Sequence, residues 1–215
     1  MDDKHISLAH GNGGRYMREL IADIFARHLS DPQRQATLDV TLDAAPIALD
    51  GGEPYMTTDG FIVQPLEFPG GDIGALAVHG TTNDLAVAGA VPKYLSLNAF
   101  IEEGMPVEQL ERIIESLAAA ARDTGVAVVA GDTKVLRRGE GGGLYLATTG
   151  VGIRSGLRPG LDLIRDGDAI LVSGPVGDHG IAVMLAREEF GLHGELRSDA
   201  ASVLPLTLAA MELPG

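Results

Sequence analysis

The sequence contains no cysteine, which removes disulfides, zinc–thiolate sites, iron–sulfur ligation and a thiol nucleophile from these 215 residues. Tryptophan is also absent, and aromatics make up only 4% of the chain. Basic residues are scarce: 16 Lys+Arg against 30 Asp+Glu leave a net charge of −14. Without a positive footprint, non-specific binding to nucleic acid or to an anionic membrane surface is disfavoured. No apolar run approaches the roughly 20 residues of a membrane-spanning helix, and the start MDDKHISLAHGNGG lacks the apolar core of a signal peptide. A cytoplasmic protein is the expectation.

What is present describes a folded chain. Apolar residues at 45% and charged residues at 21% are ordinary for a globular protein. Glycine is not ordinary: 29 residues are roughly twice the usual share of about 7%. The glycines punctuate the pattern. His10-Gly11-Asn12-Gly13-Gly14 feeds an amphipathic helix over 15–28, with Met17, Leu20, Ile21, Ile24 and Phe25 on one side. Residues 37–42 predict a strand. A second helix is expected over 73–88, rich in Ala and Gly, and a third opens at Pro106 with Val107, Leu110, Ile113, Ile114 and Leu117 on one stripe and stops at Gly125. Strands are expected over 55–64, 94–101, 126–134 (its buried run 126–130 followed by Gly131-Asp132) and 144–153, joined in one sheet. Gly156, Pro159, Gly160 and Gly167 mark a linker, followed by a predicted strand at 169–173 and a helix over 178–190. About 50 residues after a linker are few for an autonomous α/β domain. The expected layout is therefore a lead-in at 1–44, a main domain at 45–155 and the start of a second domain at 156–215.

Three segments share one design: Thr57-Thr58-Asp59-Gly60, Thr82-Asn83-Asp84-Leu85 and Gly131-Asp132-Thr133-Lys134. Each sets an aspartate beside small hydroxyl or amide groups. Mg²⁺ takes such oxygen ligands, usually one or two carboxylates with water and substrate phosphates. A bound cation would also let an acidic protein hold an anion. Lys134 offers a point charge for phosphate, and the loop of Gly11, Asn12, Gly13 and Gly14 offers backbone N–H groups. Together these point to a Mg-nucleotide site, with Asp59, Asp84 and Asp132 as metal ligands expected to converge on one cleft. Each piece also has a plainer reading: strand-end aspartates cap helices or turns, Gly-Asn-Gly-Gly is a common loop, and Lys134 suits a surface. The six histidines show no zinc spacing; His10 and His179 flank glycine loops and suit either phosphate contact or local backbone bonding. Neither a P-loop nor Gly-x-Ser-x-Gly occurs.

The run Thr57 to Phe61, then Phe68-Pro69-Gly70-Gly71-Asp72-Ile73-Gly74, then Asn83 to Ala90, then Gly131 to Val135 closely resembles the HypE family of hydrogenase maturation proteins. His10 to Gly14 and Ser173-Gly174-Pro175-Val176-Gly177-Asp178-His179-Gly180 look like that family too, so the resemblance covers nearly the whole chain. It implies an α+β fold: a mixed sheet packed on helices, whose strands pair with a second copy into a dimeric barrel, followed by the beginning of a second α/β domain. It also implies ATP and Mg²⁺, with Asp59, Asp84 and Asp132 as the Mg-ATP carboxylates, Lys134 on phosphate and Gly11 to Gly14 in a nucleotide-covering loop. The implied reaction is ATP-dependent dehydration of a carbamoyl group, loaded by the partner HypF onto a C-terminal cysteine. The product is thiocyanate, whose cyanide passes to iron on HypC and HypD for the [NiFe] hydrogenase centre. This chain departs from that pattern because it ends inside the second domain and carries no cysteine, so it is expected not to complete the reaction alone.

Two alternatives stay open on the residues. A related small-molecule kinase, such as a thiamine-phosphate kinase, would carry Gly-Asp-Asp at the first aspartate, where this chain has Thr-Thr-Asp-Gly. A non-catalytic dimerisation and docking module would bind ATP without turnover.

Overall fold

The computed structural model describes residues 3–30, 48–156, 159–187 and 194–213; the strand expected at 37–42 lies outside them. In chain order the helices are α1 (Arg15–Leu20), α2 (Arg27–Leu29), α3 (Ile73–Val87), α4 (Val107–Thr124), α5 (Asp178–Ala186) and α6 (Leu204–Met211). The strands are β1 (Glu53–Phe61), β2 (Glu67–Phe68), β3 (Gly71–Asp72), β4 (Val91–Glu102), β5 (Ala127–Leu136) and β6 (Leu144–Arg154). A π-helical stretch, Ile21–Ala26, joins α1 to α2.

Four strands form one sheet in the order β1-β6-β4-β5, with β2 and β3 as a small separate ladder. β4 and β5 run parallel, joined through α4, whereas β6 is antiparallel to both β1 and β4. The expected mixed sheet on helices is therefore what the chain builds. Side-chain alternation decides its two faces. Leu95, Leu97, Ala99 and Ile101 of β4, with Leu144 and Leu146 of β6, are buried on the helix side. Between them on β4 lie Ser96, Asn98 and Phe100, on the face that no described helix covers.

The apolar stripe of α4 is buried as expected at Leu110, Ile113, Ile114 and Leu117, each contributing about 1.5–3 kcal/mol relative to an exposed side chain. Asp72 caps α3 by accepting from the N–H groups of Gly74 and Ala75 at 2.7 and 3.0 Å. The small residues of α3 allow close approach. A Cβ on Gly74 would run into the Ile113 carbonyl of α4, so the two helices touch backbone to backbone there.

β5 runs through Gly131 and Asp132 to Leu136, close to the expected end at 134, because parallel β4 keeps pairing with it as far as Glu102. Gly131 permits this, since a Cβ there would overlap the Leu97 carbonyl. The strand expected at 169–173 does not form. Ile170 and Leu171 are 92% and 90% exposed, and no described strand pairs with them; without a ladder partner, an apolar run has nothing to hold it as a strand. The helix expected over 178–190 is observed as Asp178–Ala186, with residues 188–190 outside the description.

Candidate functional site

Sheet register separates the sequence-predicted residues into two groups. Asp59 lies opposite Thr148, Thr148 opposite Leu97, and Leu97 opposite Gly131. Asp59 therefore shares the helix-side face with buried Thr148, which bonds Thr81 of α3 and donates to the Ala77 carbonyl at 3.3 Å. Asp132 sits one residue past Gly131, opposite Asn98, so it points to the other face. From β1 to β5 are three strand spacings, about 14 Å.

The first group forms where β1 crosses α3. Thr57 Oγ1 donates to Asp84 Oδ2 at 2.9 Å. One turn back along the helix, a Cβ on Gly80 would come within 2.6 Å of the Phe61 ring and 3.7 Å of Asp59 Oδ2. Glycine at 80 thus lets β1 lie close on the helix, with Asp59 beside Gly80 and Asp84 about one turn further along the same helix. Both carboxylates are exposed, and neither has a cationic partner among the described residues. That pair fits a hydrated Mg²⁺, which needs one or two carboxylates and keeps waters. Among the described residues no three His, Asp or Glu side chains group as a metal cage.

The second group lies at the free edge of β5. Lys134 Nζ and Asp132 Oδ2 are 2.6 Å apart, and Asp132 Oδ1 also accepts from the Thr133 N–H at 2.8 Å. The Lys134 bond, more than the backbone one, holds the Asp132 carboxyl below its ordinary range. The glycine loop meets the same strand from the helix side: Gly11 lies so near Val135, opposite Ile101, that a Cβ would be 2.9 Å from the Val135 Cβ. Gly11 ends the 3-10 turn Leu8–Gly11. Asn12, Gly13 and Gly14 are exposed, Gly13 at φ +72° and Gly14 as N-cap of α1. The loop's base is fixed. Ile6 N–H donates to Met105 O at 2.8 Å, Gly104 N–H donates to Ile6 O at 2.7 Å, and buried His10 accepts at Nδ1 from the Ser7 N–H at 3.0 Å.

Within one chain, then, Asp59 and Asp84 lie on one flank of α3, Asp132 and Lys134 pair on the opposite sheet face, Gly11 packs on the neighbouring Val135, and the expected convergence of all three aspartates does not occur. The two histidines take the local role: His10 bonds Ser7, and His179 packs edge-on against Phe68 while Nδ1 meets Ser198 Oγ at 3.0 Å. Two residues of the site escaped sequence reasoning. Thr57 and Asn83 read only as small polar neighbours of aspartates, because their partners lie 27 and 118 positions away.

Residues 42–154 match the family described as AIR synthase related protein, N-terminal domain. The carbamoyl dehydratase HypE of Azotobacter vinelandii is 47% identical over 210 residues, 96% of this chain and 60% of that protein. A solved HypE in complex with ATP superposes with a TM-score of 0.85 at 43% identity, over 94% of this chain and 59% of that one. HypE from a HypE–HypF complex matches with a TM-score of 0.69 at 42% identity, over 90% of this chain and 60% of that one. The chain thus spans about 60% of the length of the relatives it matches.

Proposed function

The chain belongs to the AIR synthase related family through its N-terminal domain and is homologous to the HypE carbamoyl dehydratases, and from that membership we propose that it forms the ATP-binding, dimer-forming part of such an enzyme in [NiFe] hydrogenase maturation. The observation that carries this reading is the pair Asp59 and Asp84, two carboxylates on one flank without a cation of their own, in a fold shared with an ATP-bound HypE.

In this reading Asp59 and Asp84 hold Mg²⁺ on the triphosphate, with Thr57 fixing the Asp84 carboxylate. Lys134 and the N–H groups of Gly11 to Gly14 meet phosphate, and Asp132 orients Lys134. Because these groups stand at opposite edges of one sheet, a second copy completes the site. Among the described residues no helix lies on the face of Met56, Phe100, Tyr145 and Val151, and Met56 is 75% exposed. A two-fold that closes two such sheets into a barrel covers this face and joins a β1 edge of one protomer to a β5 edge of its partner. Each seam then brings Asp59 and Asp84 of one copy, on its helix side, next to the β5 edge of the other, around which Lys134, held by Asp132, reaches from the enclosed face.

In this reading ATP would transfer a phosphoryl group to the carbamoyl oxygen, releasing ADP and making that oxygen a leaving group; loss of phosphate and of both nitrogen protons would leave thiocyanate. The thiol that carries it is not among these 215 residues. HypF as the carbamoyl donor, HypC and HypD as the iron-bearing acceptors, and a cytoplasmic setting with ATP at hand complete the proposal; a HypE has been solved with HypF. No helix among the described residues is long and apolar enough to cross a membrane.

Titration calorimetry of ATP into the chain, with Mg²⁺ and with EDTA, tests this. Saturable heat that requires Mg²⁺ is expected, and no heat with Mg²⁺ present would overturn the reading. The alternative of a thiamine-phosphate kinase gains nothing from the first aspartate, where this chain has Thr57-Thr58-Asp59-Gly60 rather than Gly-Asp-Asp.

A further inference from the structure

Asn83 and Asp84 are neighbours on the last turns of α3, about 100° apart around the helix, and they serve different parts of the molecule. Asp84 faces Thr57 of β1. The half-buried Asn83 side chain instead takes both sides of a backbone segment: Nδ2 donates to Ala201 O at 2.9 Å, and Oδ1 accepts from the Val203 N–H at 2.9 Å. The amide thus mimics a peptide group, meeting a carbonyl and an N–H two residues apart. Asn and Gln are the side chains that carry a carbonyl acceptor and an N–H donor in one amide plane.

The same segment is fastened again at the other end of α3. Ser198 N–H donates to Pro69 O at 2.8 Å, and Gly70 is so close that a Cβ would be 2.7 Å from Ser198 N. Five extended residues from Ser198 to Val203 reach about 16 Å, and the ten residues from Ile73 to Asn83 rise about 15 Å. Residues 198–203 therefore form a strap along α3, and α6 begins directly after it at Leu204. The strap's far fastening adjoins the carboxylate assigned above to Mg-ATP.

We propose that Asn83 is a positioning residue that couples docking of the 198–204 strap to Mg-nucleotide binding at Asp84. This rests on the assignment of Asp84 to that site. The helix turn that carries Asp84 is held from one side by Thr57 and from the other by the strap through Asn83. Releasing the strap frees that turn, and filling the site holds it; by linkage, each event must favour the other by the same factor.

Amide hydrogen exchange and nucleotide titration on the 215-residue chain test the coupling, using wild type, Asn83→Ala, Asn83→Asp and Asp84→Asn. Alanine keeps α3 helical, and Asn83→Asp is nearly isosteric, retaining the acceptor for Val203 while losing the donor for Ala201. Mg-ATP is expected to slow exchange of the Val203 N–H in wild type by about the fivefold or more typical of such couplings. Asn83→Ala should speed that exchange without nucleotide, weaken Mg-ATP by the same factor by which Mg-ATP slowed Val203 in wild type, and leave the Ser198 N–H protected. Asn83→Asp should fall between. If Asn83→Ala releases Val203 yet binds Mg-ATP as wild type does, Asn83 is a structural clamp only and the coupling is overturned. If Asp84→Asn loses nucleotide while Asn83→Ala keeps full affinity, the site assignment stands and the coupling alone falls. Unchanged nucleotide binding in Asp84→Asn overturns the site assignment itself, and the coupling with it.

Discussion

Thr57 on β1 donates to the carboxylate of Asp84 on α3 at 2.9 Å, and this one bond sets a site residue on a helix against the edge strand of the sheet. It depends on close approach nearby, where Gly80 lets the Phe61 ring lie on the helix. Thr57→Val keeps the shape and removes the donor. Folding should be unchanged, and Mg-ATP should bind about tenfold more weakly, in the range found for groups that orient a metal ligand. Asp84→Asn should cost about 100-fold or more. Calorimetric titration reads both.

The contact of α3 with α4 has no room for a methyl group, since a Cβ on Gly74 meets the Ile113 carbonyl, which is backbone and cannot swing away. Gly74→Ala should destabilise the chain by about 1–3 kcal/mol, the usual cost of overpacking. Scanning calorimetry should show this as a fall in Tm of about 2–4 °C per kcal/mol for a domain of this size.

Arg112 of α4 reaches Glu67 with two nitrogens, each 3.0 Å from a carboxylate oxygen. This fork, ahead of the Gln109 bond, holds the Glu67 carboxyl below its usual range despite partial burial. A depressed carboxyl binds fewer protons folded than unfolded, so its contribution is complete above the unfolded pKa and is lost as pH falls through the folded one. The pair is largely exposed, so the effect is small. Glu67→Gln should lower Tm slightly near pH 7 and flatten the loss of Tm below about pH 4. Parallel acid limbs in the two proteins would contradict this.

The bare sheet face gives a clear expectation for assembly. Met56 and Phe100 lie on that face, on β1 and β4. Light scattering should give twice the mass of one chain for wild type. Met56→Glu with Phe100→Asp should give one chain's mass with an unchanged far-ultraviolet circular dichroism spectrum.

Much of the fold was legible because its signals are local. The α4 stripe, the small residues of α3 and the glycine punctuation gave three helices and four strands within a few residues of their places. Gly131 looks like a break in one dimension; only the partner β4 shows that a glycine there lets two strands approach. Residues 169–173 have the pattern of a strand, but pairing is a property of two segments, and no described strand lies beside them. The site was legible by residue type and not by grouping. Sequence order gives no hint that Asp59 and Asp132 face opposite sides of one sheet, because that follows from register across three strands.

Mixing two defective variants tests most directly the proposal that each site is built from Asp84 of one copy and Asp132 of another. Asp84→Asn and Asp132→Asn homodimers should each fail to bind Mg-ATP. After subunit exchange at equal amounts, half the dimers are mixed, and each mixed dimer has one seam with both aspartates intact. Mg-ATP stoichiometry should then recover to about a quarter of wild type. If both groups served the same copy's site, every chain in the mixture would still lack one aspartate, and recovery of no binding at all would contradict the shared site.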